Sequence, residues 1–354
     1  MLRGRALVLV AIAIGVGAVG MALSWALGHD ESLEPEAYIR YAIVITLGVY
    51  VVVAALIVSQ LAPGVRLRWG VGSPAGGILF GAAVGGGLSA ALLTAVSAAA
   101  GHLSPDPRIV TMMSEGDAAH LVVSVLIACV CAPLVEEVLF RGLLLESLRS
   151  HGTRVAVLVS GVAFAVWHLN PAALRYYALM GAMLGVLYVK RGLICSISAH
   201  AAFNGVLTVA ALAVVLSPAK VVTSGHVSLR APGGWSTVHD ADAVIAMTGP
   251  SGASLLVVDV PTVDAPSVDT VMRRLRSGVL DQTFPGLAVD SSSTRQVDLP
   301  AGSAVEVDVT AGGHRGTIVF LPLRGESLDI VFVGAGSMKA QADFPRILES
   351  MRVG

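Results

Sequence analysis

Charge is the scarcest commodity in this chain. Asp, Glu, Lys and Arg make up 13% of 354 residues, against roughly 25% in an ordinary soluble domain. The deficit is uneven. Residues 1–222 hold 10 acidic and 13 basic residues, whereas the shorter stretch 223–354 holds 14 and 10. Aromatic residues are also few, at 5%. Net charge is −1 and no basic cluster occurs, which argues against a nucleic-acid partner. Only three cysteines are present, Cys129, Cys131 and Cys195, all within apolar stretches. Their spacing fits neither a zinc pattern nor a disulfide framework, so they read as small buried residues. No internal repeat or low-complexity tract is evident.

What the chain has instead is apolar length. Hydrophobic residues reach 55% and mean hydropathy is +0.78. A spanning helix needs about 20 largely apolar residues. Seven stretches qualify as candidates: 6–27, 40–62, 76–100, 118–141, 155–172, 174–190 and 193–216. The first follows Arg3 and Arg5. It exceeds the roughly 7–15-residue core of a signal peptide and reads as a membrane anchor. In the third, Gly77, Gly81 and Gly85 recur at four-residue spacing. Small residues so placed let helices approach closely.

Basic residues in short loops set orientation. One side receives Arg3, Arg5, Arg66, Arg68, Arg141, Arg149, Arg154, Lys190 and Arg191. The other receives Arg40, Arg108 and Arg175 amid Asp30, Glu31, Glu34, Glu36, Asp106, Glu115 and Asp117. The N-terminus is therefore expected in the cytoplasm. An odd number of spans then puts the C-terminal part outside. The Ala-, Val- and Gly-rich composition fits a bacterial plasma membrane.

Composition shifts near residue 222, so two domains are expected: a membrane domain over 1–222 and an extracytoplasmic domain over 223–354. Residues 217–232 read as a linker. Beyond it the pattern has period two. Ala243–Met247, Leu255–Val260, Ala304–Val309, Gly316–Leu321 and Leu328–Val333 are predicted strands. Val268–Leu280 and Met338–Met351 are predicted amphipathic helices. The predicted fold class is an all-α polytopic membrane domain followed by a small α+β domain with an antiparallel sheet. In the latter, His226, His239 and His314 stand isolated and read as surface residues.

Two adjacent carboxylates, Glu136 and Glu137, lie inside the fourth apolar stretch. Charge at such depth is costly and points to function. Glu137 and Arg141 are four apart, share a helical face and reduce each other's burial cost. Glu136 points about 100° away and is left without that contact, which suits a general base. Phe164 and His168 also stand four apart, as do His200 and Asn204. A carboxylate with an imidazole can activate water, and an imidazole N–H with an Asn amide can hold an oxyanion. A structural ion cluster is the competing reading of the same residues.

The ordered set Glu136-Glu137-x-x-x-Arg141, Phe164-x-x-x-His168 and His200-x-x-x-Asn204 resembles the signature of the CAAX-prenyl endopeptidase and bacteriocin-processing (CPBP, or ABI) family of intramembrane glutamic endopeptidases. The resemblance spans about residues 115–216. It implies a peptidase in which Glu136 activates water with His168, and His200 with Asn204 stabilises the oxyanion. Glu137, Arg141 and Phe164 would support the site. It implies no metal and no other cofactor, although two glutamates and two histidines could ligate zinc. The implied partners are a membrane-bound or lipidated protein or peptide substrate and the bilayer itself. The alternative is a non-catalytic scaffold or immunity-type protein that binds a partner through the fold or its outer domain. A transporter would require related halves with paired broken helices, and none is evident. With simple straight spans, Glu136 and His168 fall at opposite depths, which conflicts with one shared water.

Overall fold

The computed structural model describes residues 2–28, 35–61, 67–70, 72–100, 113, 118–261, 270, 287–323, 326–334 and 337–354. They form two compact units, one helical over most of its length and one a sheet domain comprising 211–354.

The helical unit begins with α1 (Leu2–Gly28), α2 (Pro35–Leu61) and α3 (Pro74–Ala100). Proline opens α2 and α3, where its missing N–H costs nothing. Helix α4 covers 118–151, α5 Thr153–Trp167, α6 Leu174–Arg191 and α7 Leu193–Val215. Gly152 (φ 105°) separates α4 from α5, and Gly192 (φ 87°) separates α6 from α7. Both take a backbone conformation that side chains disfavour.

Among the described residues, length and apolarity qualify four stretches to cross a bilayer: Arg40–Ser59, Pro74–Ala98, Ala119–His151 and Leu193–Val215. Val8–Ser24 and Thr153–Trp167 are shorter apolar helices. The molecule is an integral membrane protein, but the expected count of seven spans is not reached by these criteria. The fifth candidate forms only 15 helical residues, about 22 Å of rise, and the sixth carries Arg175, Lys190 and Arg191.

The fourth candidate was expected to end at 141, yet α4 continues for ten more residues. Its geometry alternates. Ala118–Leu126 is α-helical, Ile127–Cys131 π-helical, Ala132–Glu137 α-helical and Val138–Leu145 π-helical. Glu146–Leu148 and a 3-10 turn at Arg149–His151 complete it. Pro133 sits at the second junction, where the first π-helical segment returns to α-helix. It lacks the N–H that a regular helix needs there, and the widened turns before it accommodate the break.

Small residues bring the helices together. A Cβ on Gly81 would lie 2.3 Å from the Cys195 carbonyl oxygen, and one on Gly85 would lie 1.9 Å from that of Ala199. The four-residue glycine spacing of α3 is thus the seam against α7. A second seam joins α5 to α6: a Cβ on Gly181 would fall 2.9 Å from Gly161 Cα. The core between these seams holds Leu139, Phe140, Phe164, Leu184 and Phe203. Outward-facing Val44, Val51, Leu79, Leu158 and Val209 remain exposed, as lipid-facing side chains are.

In the second unit, residues 217–232 carry strands rather than the expected linker: β1 (Lys220–Ser224) and β2 (Val227–Ala231). With β10 (Arg352–Val353) they form a three-stranded sheet. The larger antiparallel sheet has the order β3-β4-β5-β9-β8-β7-β6. Its strands are β3 (Ser236–Val238), β4 (Ile245–Thr248), β5 (Ser254–Pro261), β6 (Leu287–Leu299), β7 (Gly302–Ala311), β8 (His314–Pro322) and β9 (Glu326–Val333). All five predicted strands lie within or overlap β4, β5, β7, β8 and β9. The predicted helix Val268–Leu280 lies outside the described residues, apart from Thr270. Helix α8 (Met338–Ser350) is capped by Ser337, whose hydroxyl accepts the Ala340 N–H at 3.0 Å. Its apolar face packs on the sheet, with Phe344 stacked on Phe332 at 4.4 Å between centroids. Trp235 and Lys339 both donate to Asp343, at 3.0 and 2.8 Å.

Candidate active site

The long α4 answers the depth conflict. Glu136 and His168 each lie sixteen residues from Gly152. The two helices fold back on each other at that glycine, so equal distances along them return to similar depth. Trp167 confirms the match by donating from Nε1 to Glu136 Oε1 at 3.0 Å. Ser160 further pins the hairpin by donating to the Phe140 carbonyl at 2.9 Å.

The two glutamates have separate surroundings. Glu137 is fully buried, and its Oε1 lies 3.0 Å from Arg141 Nη1. The same oxygen lies 3.1 Å from His200 Nδ1. Arg141, also fully buried, donates from Nη2 to the Gly181 carbonyl at 2.9 Å. Its guanidinium sits 4.6 Å from the centre of the Phe164 ring, an attractive placement for a cation. The close α5–α6 approach at Gly161 and Gly181 therefore also serves the site, by bringing a carbonyl to Arg141.

Glu136 is 3% exposed. Its Oε1 accepts from Tyr50 Oη at 2.7 Å and from Trp167 Nε1 at 3.0 Å. Its Oε2 accepts no hydrogen bond from the described residues. That oxygen lies 4.0 Å from His200 Nε2. His200 thus spans the pair, with Nδ1 toward Glu137 and Nε2 toward Glu136.

His168 ends α5. Its Nδ1 is 2.8 Å from the Phe164 carbonyl, which can only accept, so Nδ1 carries hydrogen and Nε2 is bare when the ring is neutral. The ring stacks on Tyr177 at 4.1 Å between centroids. It makes no hydrogen bond to Glu136. The next residue, Leu169, has φ 46°, an uncommon conformation for leucine, and it terminates the helix directly behind the imidazole. Asn204 donates from Nδ2 to the Ala128 carbonyl at 2.8 Å, inside the first π-helical segment.

The sequence-predicted residues therefore gather in one helical unit. Glu136, Glu137, Arg141, Phe164 and His200 are in direct contact, and His168 joins through the Phe164 ring at 4.6 Å. Three contributors went unnoticed in the sequence: Tyr50, Trp167 and Tyr177. Trp167 had a signal, since it precedes a histidine already singled out. Tyr50 had a weaker one, being one of four hydroxyl-bearing residues in its apolar span, with Tyr41, Thr46 and Ser59. Among the described residues, no group of three His, Cys, Asp or Glu side chains is arranged to hold a metal ion.

No curated protein matches the chain. A solved structure similar to it is the solution structure of cyanobacterial PsbP (CyanoP) from Synechocystis sp. PCC 6803. It is 11% identical, covers 39% of this chain and 94% of its own, and has a TM-score of 0.31. Residues 118–206 match the family model described as Type II CAAX prenyl endopeptidase Rce1-like. That segment holds α4 through most of α7, with every acidic, basic and imidazole group of the site. Over that segment, about a quarter of the chain, the sequence is similar to the Rce1-like type II CAAX prenyl endopeptidases.

Proposed function

We propose that the helical unit is an endopeptidase that hydrolyses a peptide bond in a membrane-bound or lipidated protein, using water activated by Glu136. The observation that carries this reading is the asymmetry of one buried carboxylate. Glu136 Oε1 is held by Tyr50 and Trp167, whereas Oε2 takes no hydrogen bond from the described residues and faces His200 at 4.0 Å. A base oriented through one oxygen presents the other to a proton it must take.

In this scheme water attacks the scissile carbonyl carbon as Glu136 Oε2 accepts its proton. The bare Nε2 of His168 accepts a hydrogen bond from the same water. The carbonyl oxygen becomes an oxyanion, received by His200 Nε2 and by the Asn204 amide. His200 donates from Nε2 when its ring carries both protons, with Nδ1–H directed to Glu137. Collapse breaks the C–N bond, and Glu136 returns its proton to the leaving amine. Glu137, Arg141 and Phe164 position His200.

The proposed chemistry needs no metal. Glu137 Oε1 and His200 Nδ1 are directed to each other, and Glu137 is paired with Arg141, which makes them poor ligands. Activity is expected to survive a strong chelator. Loss that zinc restores would instead support a metalloprotease. The basic-residue bias supports a cytoplasmic N-terminus, and an odd number of spans would then place the sheet domain outside.

The test is comparative proteomics of membrane fractions from cells with the parent protein and with Glu136→Ala. The parent should generate cleaved substrates that the variant lacks at equal abundance. Proteolysis retained by purified Glu136→Ala would sink the assignment.

A further inference from the structure

The amide of Asn204 is aimed by a proline on another helix. Within Ile127–Cys131 the helix is π-helical, and the Ala132 N–H bonds the Ile127 carbonyl five residues back. In that register the next donor, for the Ala128 carbonyl, is residue 133. Residue 133 is proline and has no N–H. The preceding donor, Ala132, is already committed to Ile127. The Ala128 carbonyl is thus left without a partner in its own helix. An unpaired carbonyl in an apolar setting is costly. Asn204 Nδ2 meets it at 2.8 Å.

The amide gains a fixed orientation from this bond. Of its two N–H groups one is directed to Ala128, so the side chain cannot flip without breaking the bond, and the second N–H has a set direction. Without such a bond, the amide could exchange its oxygen and nitrogen positions, and an oxygen would repel the developing negative charge.

We propose that Pro133 is a positioning residue for Asn204: by orphaning the Ala128 carbonyl it locks the amide with one N–H free for the oxyanion. The catalytic part rests on the endopeptidase reading above. The positioning part stands on geometry alone. Substituting Pro133→Ala supplies an N–H at position 133 that competes for Ala128, releasing Asn204.

The chain contains two asparagines, Asn170 and Asn204, so labelling with 15N-asparagine gives two side-chain amide pairs. In full-length protein in detergent micelles, Pro133→Ala should shift the Asn204 pair and leave that of Asn170 in place. An unmoved Asn204 pair would overturn the proposal. Thermal unfolding checks the same link without spectroscopy. Asn204→Ala should lower the unfolding midpoint by about 3 °C in the parent and by much less in Pro133→Ala. Equal losses in both backgrounds would also overturn it. A farnesylated Cys-aliphatic-aliphatic-X peptide with an internally quenched fluorophore serves as the turnover probe. The expected result for Pro133→Ala is a roughly tenfold fall in kcat with KM unchanged. A shifted amide pair with unaltered kcat would overturn the catalytic part. Failure of the endopeptidase reading itself would appear separately, as cleavage that persists in Glu136→Ala, and leaves the amide and unfolding results intact.

Discussion

Glu136 and Glu137 share a peptide bond and little else. Glu137 faces Arg141 and His200, and removing its charge strands a buried guanidinium. Glu137→Gln should therefore destabilise the helical unit by about 3–5 kcal/mol, read as a lower unfolding midpoint in detergent. Glu136→Gln should leave that midpoint nearly unchanged and abolish turnover, because its neighbours Tyr50 and Trp167 are neutral donors that an amide oxygen still satisfies. Trp167→Phe removes one of those donors and keeps the ring. A fall in kcat of about tenfold is expected, since a positioning bond is lost while the base remains. Unchanged kcat would show that Tyr50 alone orients the carboxylate. At this scale the sequence was generous where partners sit on one helix. The four-residue step from Glu137 to Arg141 is visible in the chain itself. Tyr50 lies 86 residues from Glu136, and no periodicity announces a contact between helices so far apart.

The α4–α5 hairpin decides whether the residues meet. Hydropathy suggested that α4 stops at Arg141, because a charge commonly marks a helix end at the bilayer surface. Arg141 is instead buried against Glu137, Gly181 and Phe164, so it does not end the apolar stretch. The π-helical turns were also illegible, since their i to i+5 bonds follow from Pro133 and from packing rather than from composition. The glycine seam of α3 was legible as a spacing. The Gly161–Gly181 seam was not, because it pairs single glycines on two helices. Both seams leave no room for a side chain. Gly85→Leu should cost upwards of about 3 kcal/mol, seen as lost folded protein in size-exclusion chromatography. A normal yield and midpoint would contradict the seam between α3 and α7.

Across the whole molecule, two units with separate cores stand in one chain. The sheet domain was foreshadowed by alternating strands, although the Pro- and Gly-flanked stretch 217–232 concealed β1 and β2 as linker. Its α8 is anchored by Phe344 on Phe332, and Phe344→Ala should destabilise the sheet domain by about 3–5 kcal/mol, measured by denaturant unfolding of the full chain. Sidedness is testable at Ser292, an exposed position on β6. In intact cells, Ser292→Cys should react with a membrane-impermeant maleimide if the domain is outside, and only after lysis if it is inside. The pairing of Glu137 with Arg141 on one helix has a consequence for how the molecule is made. Chains enter the membrane from the N-terminus onward. When α4 arrives, His200 has not yet been synthesised. A carboxylate whose counter-charge is one turn away carries its own neutralisation into the bilayer, and Tyr50 is already there to receive Glu136. Only later does α7 deliver the imidazole that joins the two acids, so assembly of the centre coincides with completion of the helical unit.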